Sequence, residues 1–150
     1  MSKIIIRFFI TKVMIDLNIK ILEQLEKNPE YSLQEIAQNL GVSKGTIRNR
    51  ISKMKENGIL IGYKIRISYK SIGKDEAYVG LDISPENFIT ALEEIKNFSF
   101  VREIYATSGD HVAIAYLVDE SKNIVESIKK INEVKGVRNV YPAFVQKIIK

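Results

Sequence analysis

The chain has 150 residues, 45% hydrophobic and 27% charged, a composition that suits one compact domain or two small ones and argues against disorder. It has no cysteine, which excludes disulfides, iron–sulfur clusters and thiolate zinc sites and fits a reducing compartment. The net charge of +5 is uneven: residues 1–73 hold 13 Lys and Arg against 6 Asp and Glu, residues 74–150 hold 10 against 12, and a polyanion partner is therefore sought in the first half.

The opening MSKIIIRFFITKVMI is apolar, but Lys3, Arg7 and Lys12 interrupt it and no small-residue cleavage site follows. It is too short and too charged to cross a bilayer. Two readings of residues 1–15 stand. Ile4, Ile5, Ile6, Phe8, Phe9, Ile10 and Val13 favour a strand paired with a second subunit, or else translation begins at Met14 and the segment is an extension of no structural consequence.

From there, residues 16–68 read as a winged helix-turn-helix. A first helix is expected over 17–27, with Asp16 as N-cap and Leu17, Ile21, Leu22 and Leu25 on one face. Ser32 opens the next, with Glu35 three residues on completing a capping box, and Leu33, Ile36, Ala37 and Leu40 inward. Gly41 suits a tight turn that needs a positive φ. Ser43 then caps a third helix that ends near Asn57, with Gly58 as its stop. The β-rich ILIGYKIRIS (59–68) reads as a hairpin wing turning at Gly62.

The third helix carries Lys44, Arg48, Arg50, Lys53 and Lys55 before its first carboxylate, Glu56. At about 3.6 residues per turn, Ile47, Ile51 and Met54 form a narrow buried seam. Gly45, Arg48, Asn49, Ser52 and Glu56 lie opposite, with Thr46 and Lys53 on the flank. Arg takes guanine and Asn takes adenine bidentately, and the helix N-terminus around Ser43, Lys44 and Gly45 suits a phosphate. A solvated basic helix is the bland alternative. The helix-turn before it and the wing behind it favour insertion into a major groove, with Lys44, Lys53, Lys55, Lys64 and Arg66 on phosphates. Arg50 borders the seam, where it braces the fold or clamps backbone phosphate.

Residues 69–76 (YKSIGKDE) are expected to be a linker, and 77–150 an α+β domain in the order βαββαβ, the ferredoxin-like arrangement of a four-stranded antiparallel sheet with two helices on one face. Its strands are expected at 77–83, 101–108, 111–118 and 137–145. Its first helix follows Ser84 and Pro85 with Phe88, Leu92 and Ile95 inward, and its second follows Ser121 with Ile124, Val125, Ile128 and Ile131 inward. Val79, Ile104 and Ile114 are assigned to the sheet's other face, whose cover would be a second copy of the chain, hence a homodimer.

Taken together, NIKIL (18–22), SLQEIAQNLGVSKGTIRNRISKMKENGIL (32–60), IGYKIRIS (61–68), SIGKDEAYVGLDI (71–83), VREIYATSGDH (101–111) and GVRNVYPAFV (136–145) resemble the Lrp/AsnC family of regulators from about Met14 to the end. The resemblance implies double-stranded DNA as partner, dimers assembling into tetramers or octamers, a cytoplasmic location, no cofactor or metal, and an amino-acid effector bound between subunits. Arg50 falls where the family nearly always has Arg. The implied effector loop is Gly109, Asp110 and His111, fed by a strand presenting Tyr105, Thr107 and Ser108. Two departures are visible. Ile15 and Asn18 replace an acidic pair for which Asp16 is a shifted substitute, and Val112 replaces a second loop carboxylate, which weakens the amino-acid assignment. His111 equally reads as a polar turn residue at a strand start.

Three functions compete: a sequence-specific regulator, a low-specificity architectural DNA-binding protein, and a tetrapyrrole decarboxylase of the sirohaem type, which some proteins similar to this family are. A single His and a mildly acidic second half offer the last little. No nucleophile–base set, carboxylate pair or Gly-rich phosphate loop points to other catalysis.

Overall fold

The computed structural model describes residues 16–149, and the expectations for residues 1–15 lie outside it. The chain divides between Ile65 and Arg66 into two compact units.

The first unit is built from α1 (16–27), α2 (Leu33–Leu40) and α3 (Lys44–Glu56). Asp16 is not an N-cap. It already lies within α1 and pairs with Lys20 at 2.9 Å, one turn along. The capping box of α2 forms in both directions, Glu35 N–H donating to Ser32 Oγ at 3.2 Å and Ser32 N–H to Glu35 Oε2 at 2.7 Å. Those bonds hold the Glu35 carboxyl below the usual range. Gly41, at φ 66°, turns the chain out of α2. Ile21, Leu25, Ile36, Ala37, Ile47, Ile51 and Met54 form the core, with Leu17, Leu22, Leu33 and Leu40 packed against it. Full burial of an Ile or Leu is worth about 1.5–3 kcal/mol, so each of these side chains contributes substantially to holding the three helices together.

Beyond α3 the sequence expectation needs correcting. Gly58, at φ 67°, ends the helix, and Ile59 and Leu60 N–H both donate to Met54 O. Among the described residues, 61–68 carry no strand pairing, with Ile61 95% and Ile65 83% exposed. A two-residue hairpin turn at Gly62 needs a positive φ, and Gly62 is not among the positive-φ glycines.

The second unit contains β1 (Lys74–Ile83), α4 (Phe88–Ile95), β2 (Val101–Ala106), β3 (Ala113–Glu120), α5 (Ile124–Asn132) and β4 (Val137–Phe144). The segment expected as a linker holds a 3-10 turn, Tyr69–Ile72, and the first three residues of β1. The sheet is antiparallel in the order β2-β3-β1-β4. Two central strands flanked by the outer pair, with both helices packed over Ala77, Val79, Leu81, Ala113, Ala115 and Leu117, make the ferredoxin-like α+β arrangement. Ala91, Ile95, Ile124, Ile128 and Ile131 supply the helix side of that core.

Three side-chain placements differ from the sequence reading. Val79 is fully buried in this core, and Ile104, paired with Ala115, packs against it too, so only Ile114 of the three belongs to the opposite face. Val125 is 56% exposed. One residue's rotation takes it off the face shared by Ile124, Ile128 and Ile131, and buried Ser127 borders that face on the opposite side, donating to Asp119 Oδ2 at 2.5 Å.

Candidate nucleic-acid interface and effector loop

Helix α3 starts on a fixed cap: Ser43 Oγ accepts the Thr46 N–H at 3.1 Å and lies 2.9 Å from Thr46 Oγ1. No carboxylate occupies its first turn. The leading N–H groups at Lys44 and Gly45 have no intrahelical acceptor, and with the positive end of the helix dipole they suit an oxyanion.

Ile47, Ile51 and Met54 are buried, while Lys44, Gly45, Arg48, Asn49, Ser52 and Lys53 are exposed together and Thr46 and Arg50 are half-buried. Arg48, Asn49, Lys44 and Lys53 make no ion pair or side-chain hydrogen bond among the described residues. Ser52 and Lys55 differ. Ser52 Oγ donates to Glu56 Oε1 at 3.0 Å, and Lys55 Nζ lies 5.2 Å from the centre of the Tyr63 ring, a cation–π contact that ties the segment after the helix back to it. Lys64 and Arg66, expected on a wing, are exposed in that segment, which forms no hairpin among the described residues.

Gly45 is informative. A Cβ there would meet only Ser43 Oγ, at 3.7 Å, so this unit does not need a glycine. Glycine in a helix costs up to about 1 kcal/mol relative to alanine. A surface that forgoes that stability leaves room for something to approach closely.

The six residues expected at the effector loop are only partly brought together. Thr107 closes the β2–β3 connection, its N–H donating to Val112 O at 3.0 Å and its hydroxyl to His111 O at 2.7 Å. Ser108, Gly109 and Asp110 are exposed at the tip, with Gly109 at φ 122°. The Tyr105 hydroxyl is taken by Glu103 on its own strand. His111 turns inward over the sheet, where Nδ1 lies 3.3 Å from Asp82 Oδ1 and the ring stacks on Tyr141 at 4.7 Å between centroids. The Tyr141 hydroxyl donates to the other Asp82 oxygen at 3.1 Å.

Sequence reasoning missed Asp82 and Tyr141. Its one available signal was Gly80, an isolated glycine inside a strand, which often marks close approach: a Cβ there would sit 2.3 Å from His111 Cδ2. The His111 and Tyr141 bonds, outweighing partial burial, hold the Asp82 carboxyl below the usual range, and the same bond holds the Tyr141 phenol above its own.

Comparison with known proteins extends this picture. Residues 16–61 match the profile of winged helix-turn-helix DNA-binding domains. Over 133 residues, 87% of this chain and 94% of the relative, the sequence is 38% identical to the HTH-type transcriptional regulator LrpA of Pyrococcus horikoshii. The structure of Escherichia coli AsnC is similar with a TM-score of 0.68 and 27% identity, covering 90% of this chain and 93% of that one. A Neisseria meningitidis transcriptional regulator, solved in complex with L-Met, shares the fold with a TM-score of 0.68 at 20% identity, covering 89% of this chain and 90% of that one.

Proposed function

The chain belongs to the Lrp/AsnC family of transcription regulators, and from that premise we propose how its own residues divide the work of binding DNA and responding to a ligand. Helix α3 enters the major groove. Arg48 and Asn49 meet base edges, and Ser43, Lys44, Thr46, Arg50, Ser52, Lys53, Lys64 and Arg66 fix the backbone through phosphates. Gly45 lets the helix N-terminus lie against the duplex. The observation that carries this reading is the set of exposed Arg48, Asn49 and Lys53 side chains, without partners among the described residues, on one face of a capped helix.

Two copies joined through the sheet face away from α4 and α5 would set two such helices on successive grooves. That face carries Ile114 and half-exposed Tyr78, Tyr105 and Tyr141 in a domain whose other face is already covered by helices. Assembly beyond the dimer, a cytoplasmic location and action by binding without catalysis follow from the same reading. The relatives' names as regulators support it.

The test is binding to the duplex upstream of the gene and to a shuffled duplex, over a range of salt concentrations. Arg48→Ala is expected to cost about 1–3 kcal/mol on the native duplex and to relax preference, whereas Lys53→Ala weakens both duplexes alike and lowers the salt slope by about one. Arg48→Ala binding every duplex as tightly as the unaltered protein would remove α3 from the interface.

A second element of the proposal is an amino-acid effector at the β2–β3 connection, with Thr107, Ser108 and Asp110 at its mouth and Asp82 supplying the carboxylate that Val112 does not. The L-Met complex of the Neisseria regulator supports the ligand class. Calorimetry across the L-amino acids is expected to find one that binds and is lost in Asp82→Asn; no heat from any of them would end the assignment.

A further inference from the structure

A cavity of about 290 Å³ opens at the start of β1, walled by the 3-10 turn, the first residues of β1 and the chain following β4. Its charge is lopsided, with Lys70, Lys74 and Lys147 lining it against one carboxylate, Glu76. Glu76 is engaged by the Tyr116 hydroxyl, whose own ionisation burial and that bond push upward. Lys74 is matched by Glu120 at 3.2 Å. Among the described residues the other two lysines have no counter-ion: Lys70 Nζ donates to the neutral Gln146 Oε1 at 3.3 Å, and Lys147 forms no ion pair.

Lysines that line one small cavity with too few carboxylates to match them leave positive charge that an anion would offset. The wall does not depend on them. Val145 N–H donates to Glu76 O at 3.0 Å and Ser121 N–H to Gly73 O at 3.2 Å, so backbone bonds hold both rims in place. The volume lies at the small end of ligand sites, which run from about 300 Å³ upward, and suits a compact metabolite better than a nucleotide cofactor.

We propose that this cavity binds a small dianion of the phosphate or dicarboxylate class, with Lys70 and Lys147 supplying charge-assisted hydrogen bonds. Glu76 narrows the choice, because its carboxylate on the wall repels an anion too large to keep clear of it. The site is separate from the β2–β3 connection and stands without the effector assigned there.

The full-length protein is titrated by calorimetry at pH 8 and fixed ionic strength with inorganic phosphate, succinate and, as monoanion, acetate. Saturable binding of phosphate or succinate is expected, with acetate at least tenfold weaker. The double variant Lys70→Gln, Lys147→Gln is expected to lose at least tenfold, and Lys135→Gln, an exposed lysine outside the cavity, to change nothing. Because Lys70 holds Gln146, folding of the double variant is checked by circular dichroism. Lys147→Gln alone breaks no side-chain bond among the described residues and should still cost at least threefold. Absence of saturable binding by both dianions, or binding that these variants retain as an anion on α3 would, overturns the proposal.

Discussion

Helix α3 and the outer face of the sheet are both polar and both open to solvent, yet they are built in opposite ways. On α3 the outward Arg48, Asn49 and Lys53 engage nothing else among the described residues, whereas on the sheet the carboxylates already accept internal bonds: Glu76 from Tyr116, Asp82 from Tyr141 with His111 beside it, Glu103 Oε2 from Tyr105. A surface with unspent donors meets an external partner without first breaking internal bonds. A surface whose polar groups are paired internally presents aromatic rings to whatever covers it, and any polar ligand there has to displace an existing bond. The same distinction separates groups that act on a partner from groups that stabilise the fold, and it can be tested from both sides.

The largest effect is expected where the sheet face is most tightly made. Gly80→Ala places a methyl group against the His111 ring, which Asp82 and Tyr141 hold in place. Overpacking of this kind costs about 1–3 kcal/mol. Urea unfolding should show that loss, and His111→Ala in the same chain should recover most of it, since the double variant removes the clashing ring. A neutral Gly80→Ala would mean that His111 swings clear at no cost, and the face would then be less self-contained than its bonds indicate.

On α3 the expected sign reverses. Gly45→Ala replaces a helical glycine with no new contact closer than 3.7 Å, so stability should rise by up to about 1 kcal/mol. Gly45→Val should fold as well but bind DNA more weakly, because its branched side chain occupies the approach to the helix N-terminus. Thermal unfolding beside DNA titration separates the two effects. Gly45→Val binding as tightly as the unaltered protein would show that nothing approaches there.

How far the sequence could be read follows the range of the interactions involved. Ser32 with Glu35, Gly41 and Ser43 announce α2 and α3 through bonds no longer than one helical turn, and those bonds form. The order of elements in the second unit is legible for the same reason, since Pro85, Gly109 and Gly136 punctuate it locally. What was misread depends on distant partners. Ile61 and Ile65 look like strand residues, but a strand exists only where another chain segment pairs with it. Val79 and Ile104 look as suited as Ile114 to face away from the helices, but strand register pairs both with Ala115, so they join the core and only Ile114 lies on the other face as expected. Asp82 and Tyr141 are far apart in sequence and meet only through the β1–β4 ladder, so no spacing rule finds them.

The smallest expected effect probes whether the internal bonds of the sheet face are electrostatic. Asp82 has its folded pKa lowered, chiefly by His111 and then by Tyr141. Its contribution is therefore fully present above the ordinary carboxylate pKa and is lost as the pH falls through the lowered folded value. Asp82→Asn keeps the shape and removes the charge, so the stability difference between the two proteins should be present near neutrality, shrink below about pH 4, and vanish in stronger acid. Exposure to solvent keeps that difference small. Tyr141 opposes it in sign: its folded pKa is raised, so the part it contributes persists at lower pH and is lost only on alkaline titration through the raised value. A difference between Asp82→Asn and the unaltered protein that stays constant from neutral to strongly acid pH would assign the bond to shape rather than charge, and would make the outer face a packed surface that merely happens to carry carboxylates.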